Sequence, residues 1–396
     1  MKSRKSQRSI NIIAFGAQGD GVSGGDRIFI EIARRIQSKA SVSLWLTKEG
    51  LRMCERMSLD LDGIDLHVFD ISRARVFGQI GYYLSTVLLG IYVGLFKSPR
   101  GGSPIVYSAS EFWMDVFPAL IWKIKNKSVW VASWYQTAPN PFKGFSLEGG
   151  SRYRLASLPY WFFQKTTKPL VSIYSDFVNV NNKGEVQEFK QHDKRNRVFV
   201  MYGAVDVKKA LEFQKSRKSK KGFEAVFQGR FHPQKGVVEM IEIWKLVVGK
   251  MPNAKLAMVG DGPLMQEVKQ KISSLKLKKN IVLMGYLFDG DDKLELFNNS
   301  KIVVHPAYFD SGGMASAEAM VFGKPAVGFD LPSYKDYYPS GMVKVSIGDK
   351  NAFADACLNL LESKKTYEKY SKEAVEMIKQ NWSWDTRVDD FAKFIL

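Results

Sequence analysis

Short runs of β-branched and other apolar residues alternate with stretches of helical periodicity along the whole chain. The runs predict strands, and apolar residues recurring every three or four positions between them predict amphipathic helices. The predicted strands cover residues 10–15, 42–46, 64–69, 104–108, 128–132, 170–173 and 177–180 in the first half, and 224–228, 255–259, 280–284, 301–304, 325–328 and 343–345 in the second. The clearest helical stretches are 27–37, 237–248, 263–271, 314–322 and 351–361.

Alternation of strand and helix predicts an α/β fold, with parallel sheets covered by helices on both faces. Thirteen strands exceed one comfortable doubly wound sheet, so we expect two Rossmann-like domains. We place their boundary in residues 198–207, after the charged stretch 190–197. The first domain then covers residues 1–202 and the second begins at residue 203.

Residues 76–96 form an uncharged run between Arg75 and Lys97 that is long enough to span a bilayer. Gly90 and Gly94 have the spacing that suits helix pairing. A single crossing would put the strands on either side of the run in different compartments. Three interpretations stay open: a buried crossover helix, a helix lying on the membrane surface, and a true span. Helical spacing puts Phe77, Ile80, Leu84, Val87, Leu88, Ile91 and Leu95 on one face, and Gln79, Tyr82, Ser85, Thr86 and Gly90 on the other.

Composition excludes a mainly disordered or fibrous chain, because 45% of the residues are hydrophobic and 25% are charged. The two cysteines, Cys54 and Cys357, cannot build a disulfide framework or a four-thiolate zinc site, and they fit a reducing compartment. The basic start of the chain leads into a short apolar run without a signal-peptide cleavage pattern, so we interpret that run as the first strand. These features predict a cytoplasmic protein.

The net charge of +18 is uneven, with +12 carried by residues 1–200. Such an excess favours an anionic partner: a phosphorylated substrate, an anionic membrane surface or a nucleic acid. The basic runs 123–127 and 215–221 come without a nucleic-acid recognition motif, so we do not expect nucleic acid as the partner. Phospholipid headgroups or a polyisoprenyl phosphate explain the N-terminal bias at least as well.

Candidate chemistry collects where the strands of the second half end, which is where doubly wound sheets bind ligands. Arg230 and Lys235 surround a predicted helix start, and two cations there form an anion site. Gly312 and Gly313 precede another helix, in which Glu318 is placed to accept hydrogen bonds from ribose hydroxyls. Each feature alone is also explained by a solvated charge, a turn glycine or a helix-dipole partner. Their shared position at one end of one predicted sheet favours a phosphate site.

These motifs resemble the retaining nucleotide-sugar glycosyltransferases of family four, which have the GT-B fold. The resemblance implies two doubly wound Rossmann-like domains facing across a cleft, a second domain of residues 203–380, and a C-terminal helix in residues 381–396 that crosses back to the first domain. It rests on Arg230-x4-Lys235, on Val259-Gly260-Asp261-Gly262-Pro263, on Asp310-x7-Glu318 with Ala319-Met320-x-x-Gly323-Lys324-Pro325, on Gly203-Ala204-Val205-Asp206, and on Trp382-Ser383-Trp384.

The resemblance also implies roles for these residues. Arg230 and Lys235 would bind the donor diphosphate, Glu318 the ribose, and Asp310 the donor sugar. The family usually has glutamate where Asp310 stands, which leaves the identity of the sugar open. Other donor-binding positions carried over are Gly24, Gly25, Gly203, Gly260, Gly262, Met284, Tyr286, Ser311, Gly312, Gly313, Met314 and Ala315.

In the first half, Gly19-x-Gly21-x-x-Gly24 formally satisfies a dinucleotide fingerprint. In the family, the matching Gly24-Gly25 loop faces the donor phosphates; a nicotinamide or flavin cofactor and plain turn chemistry are the alternatives. The family's His-Asp-like pair is replaced here by Ser133-Trp134-Tyr135-Gln136-Thr137. Trp134, Tyr135 and Glu111 are the acceptor-binding candidates, although core packing explains the aromatic residues equally well.

The sequence therefore predicts a retaining, metal-independent and cofactor-free glycosyltransferase. It would move a sugar from a nucleoside diphosphate to a glycan or lipid-linked acceptor, peripherally on the cytoplasmic face of the membrane. The acidic groups Asp60-x-Asp62 and Asp289-x-Asp291-Asp292 are interpreted as solvated or capping rather than metal-binding. The alternatives are a Rossmann-type NAD-dependent or nucleotide-sugar-modifying enzyme and a basic nucleic-acid-binding protein.

Overall fold

The computed structural model describes residues 8–18, 22–56, 59–142, 155, 157–217, 219–220 and 222–396. Contacts along the chain divide it into two compact units. The first unit holds the residues up to Phe142, Leu155–Gly203 and the C-terminal segment Asp385–Leu396, and the second holds Ala204–Trp384. The divisions therefore fall after Gly203 and after Trp384, close to the sequence-based boundaries at 202/203 and 380/381.

The first unit is built on a parallel sheet of seven strands in the order β3-β2-β1-β4-β5-β6-β7. The interior strand Ser9–Ala14 is buried along its whole length, as expected for a parallel sheet covered on both faces. In register, Ile12 lies between Leu44 and Tyr107. The strands are β1 (Ser9–Ala14), β2 (Ser41–Thr47), β3 (Asp65–Phe69), β4 (Pro104–Ser108), β5 (Val129–Trp134), β6 (Phe177–Val180) and β7 (Val198–Val200).

Before the second unit begins, the described residues form seven helices around this sheet. The first begins at a capping box, in which Ser23 Oγ accepts from the amide of Asp26 while the Asp26 carboxylate accepts from the amide of Ser23. They are α1 (Gly24–Arg35), α2 (Lys48–Arg56), α3 (Gly78–Phe96), α4 (Trp113–Lys125), α5 (Leu158–Tyr174), α6 (Lys183–Val186) and α7 (Lys190–Asp193), with 3₁₀ turns at Ile36–Ser38, Ser72–Phe77 and Gln187–Phe189.

The second unit repeats the scheme with six parallel strands in the order β10-β9-β8-β11-β12-β13. Its core includes the fully buried side chains of Trp244, Phe227 and Phe231. The strands are β8 (Phe223–Gln228), β9 (Leu256–Val259), β10 (Ile281–Gly285), β11 (Ser300–His305), β12 (Ala326–Phe329) and β13 (Met342–Val345). The helices are α8 (Val207–Ser216), α9 (Val237–Lys250), α10 (Met265–Ser274), α11 (Asp291–Asn298), α12 (Met314–Met320), α13 (Pro332–Tyr337), α14 (Lys350–Glu362) and α15 (Lys364–Asn381), with a 3₁₀ turn at Pro233–Lys235.

The last helix, α16 (Trp384–Ile395), crosses back to the first unit. The ring of Phe391 meets Tyr107 and Phe199 edge-on, with centroids 5.9 and 5.3 Å away. At the helix start, Asp385 accepts from Arg35 Nε over 2.7 Å. The C-terminal helix predicted from the resemblance is therefore present and packs on the first domain.

One strand prediction is wrong. Residues 170–173 belong to α5, which continues to Tyr174 and buries Val171. A run of four apolar residues has no periodicity that separates strand from helix, and here the helix that starts at Leu158 extends through it. The short strand β7 lies inside the stretch that we assigned to the domain boundary.

The burial of α3 is the reverse of what a buried crossover helix would show. Its small and polar face, with Tyr82, Thr86 and Gly90, is buried, whereas the large apolar residues Ile80 and Leu88 point to solvent. Ser72–Phe96 is long and apolar enough to cross a membrane by length and composition alone. However, β3 and β4, which it connects, lie in one parallel sheet. Both ends of α3 therefore connect to strands of the same domain. This arrangement excludes the interpretation of α3 as a membrane-spanning helix.

Candidate active site

Asp310, just beyond the end of β11, is the centre of a buried polar cluster. Its Oδ2 accepts from Lys235 Nζ at 2.6 Å, from His305 Nε2 at 2.9 Å and from the hydroxyl of Tyr334 at 3.3 Å. Its Oδ1 accepts from the amides of Gly312 and Gly313. Burial opposes the carboxylate's charge, but Lys235 and His305 outweigh burial and hold the pKa of Asp310 well below its usual range. Asp310 is thus an ionised side chain that joins two loops.

Arg230 and Lys235 lie in the loop that follows β8, on either side of His232. Burial, followed by the charges of these two cations, lowers the pKa of His232 to about 4. The histidine is therefore neutral at physiological pH, and the positive charge of the loop is that of the arginine and the lysine. Arg230 is exposed to solvent, whereas Lys235 is tied to Asp310. An ammonium has three donors, so this contact leaves others for a ligand.

Gly260 and Gly262 allow two loops to pack against each other. Their φ angles are +138° and +155°. A Cβ at Gly260 would lie 1.9 Å from the carbonyl oxygen of Gly229, and one at Gly262 would lie 2.6 Å from that of Phe231. Glycine is needed at these two positions because the loop that carries Arg230 packs closely against them.

Glu318, on α12, has two partners at the same edge of the sheet. Its Oε2 accepts from Gln228 Nε2 at 2.8 Å and from Lys293 Nζ at 2.7 Å. Lys293 is buried and also contacts Asp289. Gln228 is the last residue of β8, directly before the Arg230 loop. The carboxylate predicted to bind ribose is therefore positioned by a buried cation and by a strand-end amide.

The loop before α12 is held tightly. Gly313 has a φ of +59°, and a Cβ at Gly312 would lie 2.3 Å from the ring of Tyr337. The hydroxyl of Tyr338 donates to the carbonyl of Gly313. Ser311, Met314 and Ala315 flank these glycines and are half-buried. Because Gly312 and Gly313 donate to Asp310, their amides serve the loop in this structure rather than an open anion cradle.

The remaining donor candidates of the second domain lie at neighbouring strand ends. Met284, in β10, is half-buried, and Tyr286 is exposed with its ring edge-on to Phe288. Gly203 is buried at the end of the first unit. Asp206, the last residue of its motif, caps α8 by accepting from the amide of Lys209.

In the first unit, Gly24 starts α1 and Gly25 lies under an aromatic ring. A Cβ at Gly25 would lie 2.9 Å from Tyr135, whose hydroxyl pairs with that of Tyr107 over 2.8 Å. This contact explains the glycine without a ligand. Gly19 and Gly21 of the dinucleotide fingerprint lie outside the described residues.

The three acceptor candidates are all buried. Trp134 contributes to the core: its ring meets Phe189 edge-on and its N–H donates to Thr137 Oγ1. Its ring is therefore not exposed for stacking on an acceptor sugar in this conformation, which favours the core-packing interpretation of Trp134. Tyr135 is held by the contact with Gly25 described above.

Glu111 accepts from the hydroxyl of Tyr160 and from Gln164 Nε2, and both donors also bond the carbonyl of Gln136. Burial raises the pKa of Glu111. The carboxylate is therefore a buried member of a polar network rather than an exposed ligand.

Sequence reasoning missed several residues of these clusters. Burial raises the pKa of Asp115 to about 7; this side chain contacts Ser110 and the amide of Gly16. Glu185 accepts from both the amide and the hydroxyl of Thr137. Lys293 contacts Glu318, 25 residues further along the chain, and Tyr334 contacts Asp310, 24 residues earlier. No local motif marks any of them, because only the arrangement of the strands brings them to the site.

The acidic groups considered as metal ligands have other partners. Asp60 accepts from the amide of Asp62, Asp289 pairs with Lys293, and Asp291 pairs with Arg217. Within the described ranges, no three His, Cys, Asp or Glu side chains form a group that could hold a metal ion.

A family model matches most of the second unit and the end of the first. Residues 187–377 match the family model described as glycosyl transferases group 1. The chain is 24% identical over 177 residues to the poly(glycerol-phosphate) alpha-glucosyltransferase of Bacillus subtilis, covering 41% of this chain and 25% of that protein. It is 27% identical over 164 residues to the poly(ribitol-phosphate) alpha-N-acetylglucosaminyltransferase of Staphylococcus aureus, covering 40% of this chain and 32% of that protein. The chain thus spans no more than a third of either relative.

Solved structures match over nearly the whole chain. HepE from Anabaena, in complex with UDP and glucose, superposes with a TM-score of 0.69 at 16% identity, covering 98% of both chains. A Staphylococcus aureus TarM mutant, in complex with fondaparinux, alpha-GlcNAc-glycerol and UDP, gives a TM-score of 0.70 at 12% identity, covering 98% of this chain and 99% of that one. The chain therefore has the GT-B fold, and residues 187–377 resemble the glycosyl transferases of group 1.

Proposed function

We propose that this protein is a retaining glycosyltransferase that moves a sugar from a nucleoside diphosphate to a glycan or lipid-linked acceptor. The observation that carries the proposal is the cluster at the strand ends of the second unit. There, Asp310 ties Lys235 to the Gly312-Gly313 loop, and Arg230 lies exposed in the same loop as Lys235. This cluster combines groups for a diphosphate and for a sugar on one edge of one sheet.

The chemistry follows from the bond that must break. Cleavage between the anomeric carbon and the diphosphate leaves negative charge on the departing oxygens. Arg230 is placed to bind them bidentately, and Lys235 supplies a point charge whose direction is set by Asp310. Charges that are in place before the reaction stabilise the transition state without reorganisation. Since two cations neutralise the leaving group, we propose that no metal and no further cofactor is required.

The donor is proposed to be a uridine diphosphate sugar, with a guanosine diphosphate sugar as the alternative. Support comes from the HepE and TarM structures, both of which contain UDP. Glu318 is the proposed ribose ligand, with Lys293 and Gln228 holding it in place. The sugar is proposed to be transferred with retention, by attack on the same face from which the phosphate departs, as the family resemblance implies.

The acceptor is proposed to bind to the first unit. The names of the two curated relatives, which act on poly(glycerol-phosphate) and poly(ribitol-phosphate), support a phosphate-containing polymer or lipid as the acceptor. The positive charge of the first half of the chain is consistent with such a substrate. Within this unit, Glu111 follows β4 and Glu185 follows β6, and burial raises the pKa of both carboxyl groups.

The test is a thermal-shift panel with UDP, GDP, their sugars, NAD and a short RNA. A ligand at 100 times its dissociation constant stabilises the folded protein by about 2.7 kcal/mol, which a melting curve detects. We expect a shift with UDP or GDP, and its loss in Arg230→Ala. Arg217→Ala is the matched control, because Arg217 is a half-exposed arginine of the same unit that pairs with Asp291 and Glu295.

Product analysis completes the test. The variant Arg230→Ala should lose transfer while keeping the melting temperature of the unliganded protein, since the side chain is exposed. Stabilisation by NAD alone would support the dinucleotide enzyme instead, and RNA binding with a steep salt dependence would support a nucleic-acid-binding protein. Unchanged transfer in Arg230→Ala would contradict the proposal.

A further inference from the structure

Helix α3 presents a continuous apolar stripe to solvent. Ile80 is 78% exposed, Leu84 50% and Leu88 65%. The residues of the stripe recur every three or four positions along the helix, which is about 28 Å long at 1.5 Å per residue. A large exposed apolar patch on a soluble domain marks a surface that contacts something else. The exposed members of the stripe are Val76, Phe77, Ile80, Leu84, Leu88, Tyr92, Leu95 and Phe96.

The opposite face of α3 is fixed on α4 by small residues. A Cβ at Gly90 would lie 2.6 Å from the carbonyl oxygen of Met114, and one at Gly94 would lie 2.8 Å from Ile121. Two helices can approach this closely only where side chains are absent. Rotation of α3 to bury its apolar stripe would force large side chains into that contact. The exposure of the stripe is therefore a consequence of how the helix packs.

The charged residues that flank the stripe in the sequence are basic. No aspartate or glutamate occurs between Asp70 and Glu111. Arg73 precedes α3, and Lys97 and Arg100 follow it, all exposed. The exposed Lys125 of α4 donates to the carbonyl of Leu95 at the helix end. Arg75, which pairs with Glu49, adds a fifth basic side chain to this rim.

We propose that this face, called here the α3 surface (the exposed stripe and its basic rim), docks on an anionic lipid bilayer with the helix lying in the interfacial plane. Apolar side chains would enter the headgroup region while the arginines and lysines contact lipid phosphates. Tyr92 and Phe96, whose ring centroids are 5.3 Å apart, suit the aromatic position at such an interface.

Charge complementarity selects the bilayer over a second copy of the chain. Two identical α3 surfaces placed face to face would bring their basic rims together, and like charges oppose that association. An anionic bilayer instead satisfies the apolar stripe and the rim at the same time. This inference goes beyond the proposed transferase function and does not depend on it, since docking requires no donor, acceptor or turnover.

The experiment uses a fluorophore placed on the stripe. Both native cysteines, Cys54 and Cys357, are fully buried, so Leu88→Cys introduces the exposed thiol that an environment-sensitive probe will label. Leu246→Cys, at an exposed leucine of α9 in the second unit, is the matched control. Both full-length proteins are titrated with vesicles of phosphatidylcholine containing about 30% phosphatidylglycerol, and with pure phosphatidylcholine vesicles. We expect a blue shift only for the probe at position 88, and only with the anionic vesicles.

A second measurement separates docking from general charge attraction. In Leu84→Asp/Leu88→Asp we expect vesicle affinity by sedimentation to fall roughly tenfold or more, because charged groups are excluded from the apolar interface. The control Leu246→Asp/Val282→Asp should bind as the wild type does. Both positions of each variant are exposed, so folding is checked by an unchanged melting curve.

Three outcomes would overturn the inference. The wild type could fail to bind the anionic vesicles, or the aspartate variant could bind them equally well. Light scattering could also show a dimer of the wild-type chain that Leu84→Asp/Leu88→Asp dissociates, which would assign the α3 surface to a second copy. Each of these results leaves the proposed transferase function untouched, because that function is measured with soluble donor and product analysis.

Discussion

The ammonium of Lys235 lies 2.6 Å from Oδ2 of Asp310, and both side chains are largely withdrawn from water. These residues are 75 positions apart and belong to loops that follow β8 and β11, two adjacent strands of one parallel sheet. The contact couples the loop proposed to hold the diphosphate to the loop proposed to hold the sugar. The same oxygen accepts from His305, so removal of the carboxylate's charge affects three side chains at once.

Asp310→Asn should lower transfer about 100-fold, because the variant no longer orients Lys235 by charge and because loss of one preorganised contact typically has an effect of this size. Asp310→Glu, which restores the carboxylate with one more methylene, should recover part of the rate. Initial rates with saturating donor measure both. Asp330→Asn, at an exposed carboxylate of the same unit, is the control, and equal rates for Asp310→Asn and the wild type would refute the role given to Asp310.

Lys293→Met should weaken donor binding by roughly tenfold, since Glu318 then loses a buried cation that positions it. The effect should depend on the ribose: Lys293→Met should bind UDP and its 2′-deoxy analogue with similar affinity, whereas the wild type prefers UDP. Calorimetric titration gives both constants. Lys271→Met, which breaks the partly exposed pair with Glu242, should leave the preference intact.

Gly312→Ala should destabilise the protein by about 1–3 kcal/mol, because the new methyl group overlaps the ring of Tyr337. Tyr337→Ala removes that ring and leaves a cavity, which is also destabilising. In the double variant the two losses should not add, and the interaction free energy should exceed about 1 kcal/mol. Denaturant unfolding of the wild type, the two single variants and the double variant measures this interaction free energy. Additive losses would contradict the prediction, because they would mean that the ring of Tyr337 moves aside in Gly312→Ala.

Stability should fall as pH rises from about 4 to about 7 because of Asp115. Burial raises its pKa to about 7 in the folded protein, against a value near 4 in the unfolded chain. The stabilisation is therefore complete below about pH 4 and is lost as pH rises through 7, with a total on the order of 4 kcal/mol. Asp115→Asn should remove this part of the pH dependence in thermal unfolding measured between pH 5 and 8. Asp62→Asn, at an exposed carboxylate, should keep it.

The alternation of apolar runs and helical periods was sufficient to predict two parallel α/β domains, because parallel strands buried on both faces need continuous apolar runs joined by helices. It also predicted which edge of the second sheet would carry the proposed donor site, since the carboxyl ends of parallel strands lie together whatever the details of packing. Arg230, Lys235 and Glu318 were proposed in this way, and Asp310 through the family resemblance. Residues 170–173 were assigned wrongly because a short apolar run carries no period of its own.

Only the tertiary structure decided what each of these residues contacts. Asp310 accepts from five donors that belong to four segments of the chain. No local motif encodes Tyr334 as a partner of Asp310, or Lys293 as a partner of Glu318. Trp134 belongs to the core although its position at a strand end suggested a ligand site. The orientation of α3 was decided in the same way. Periodicity identifies two faces of a helix, but the close glycine contact with α4 determines which face is buried. Periodicity is a property of the chain itself, whereas burial depends on the neighbours that folding supplies.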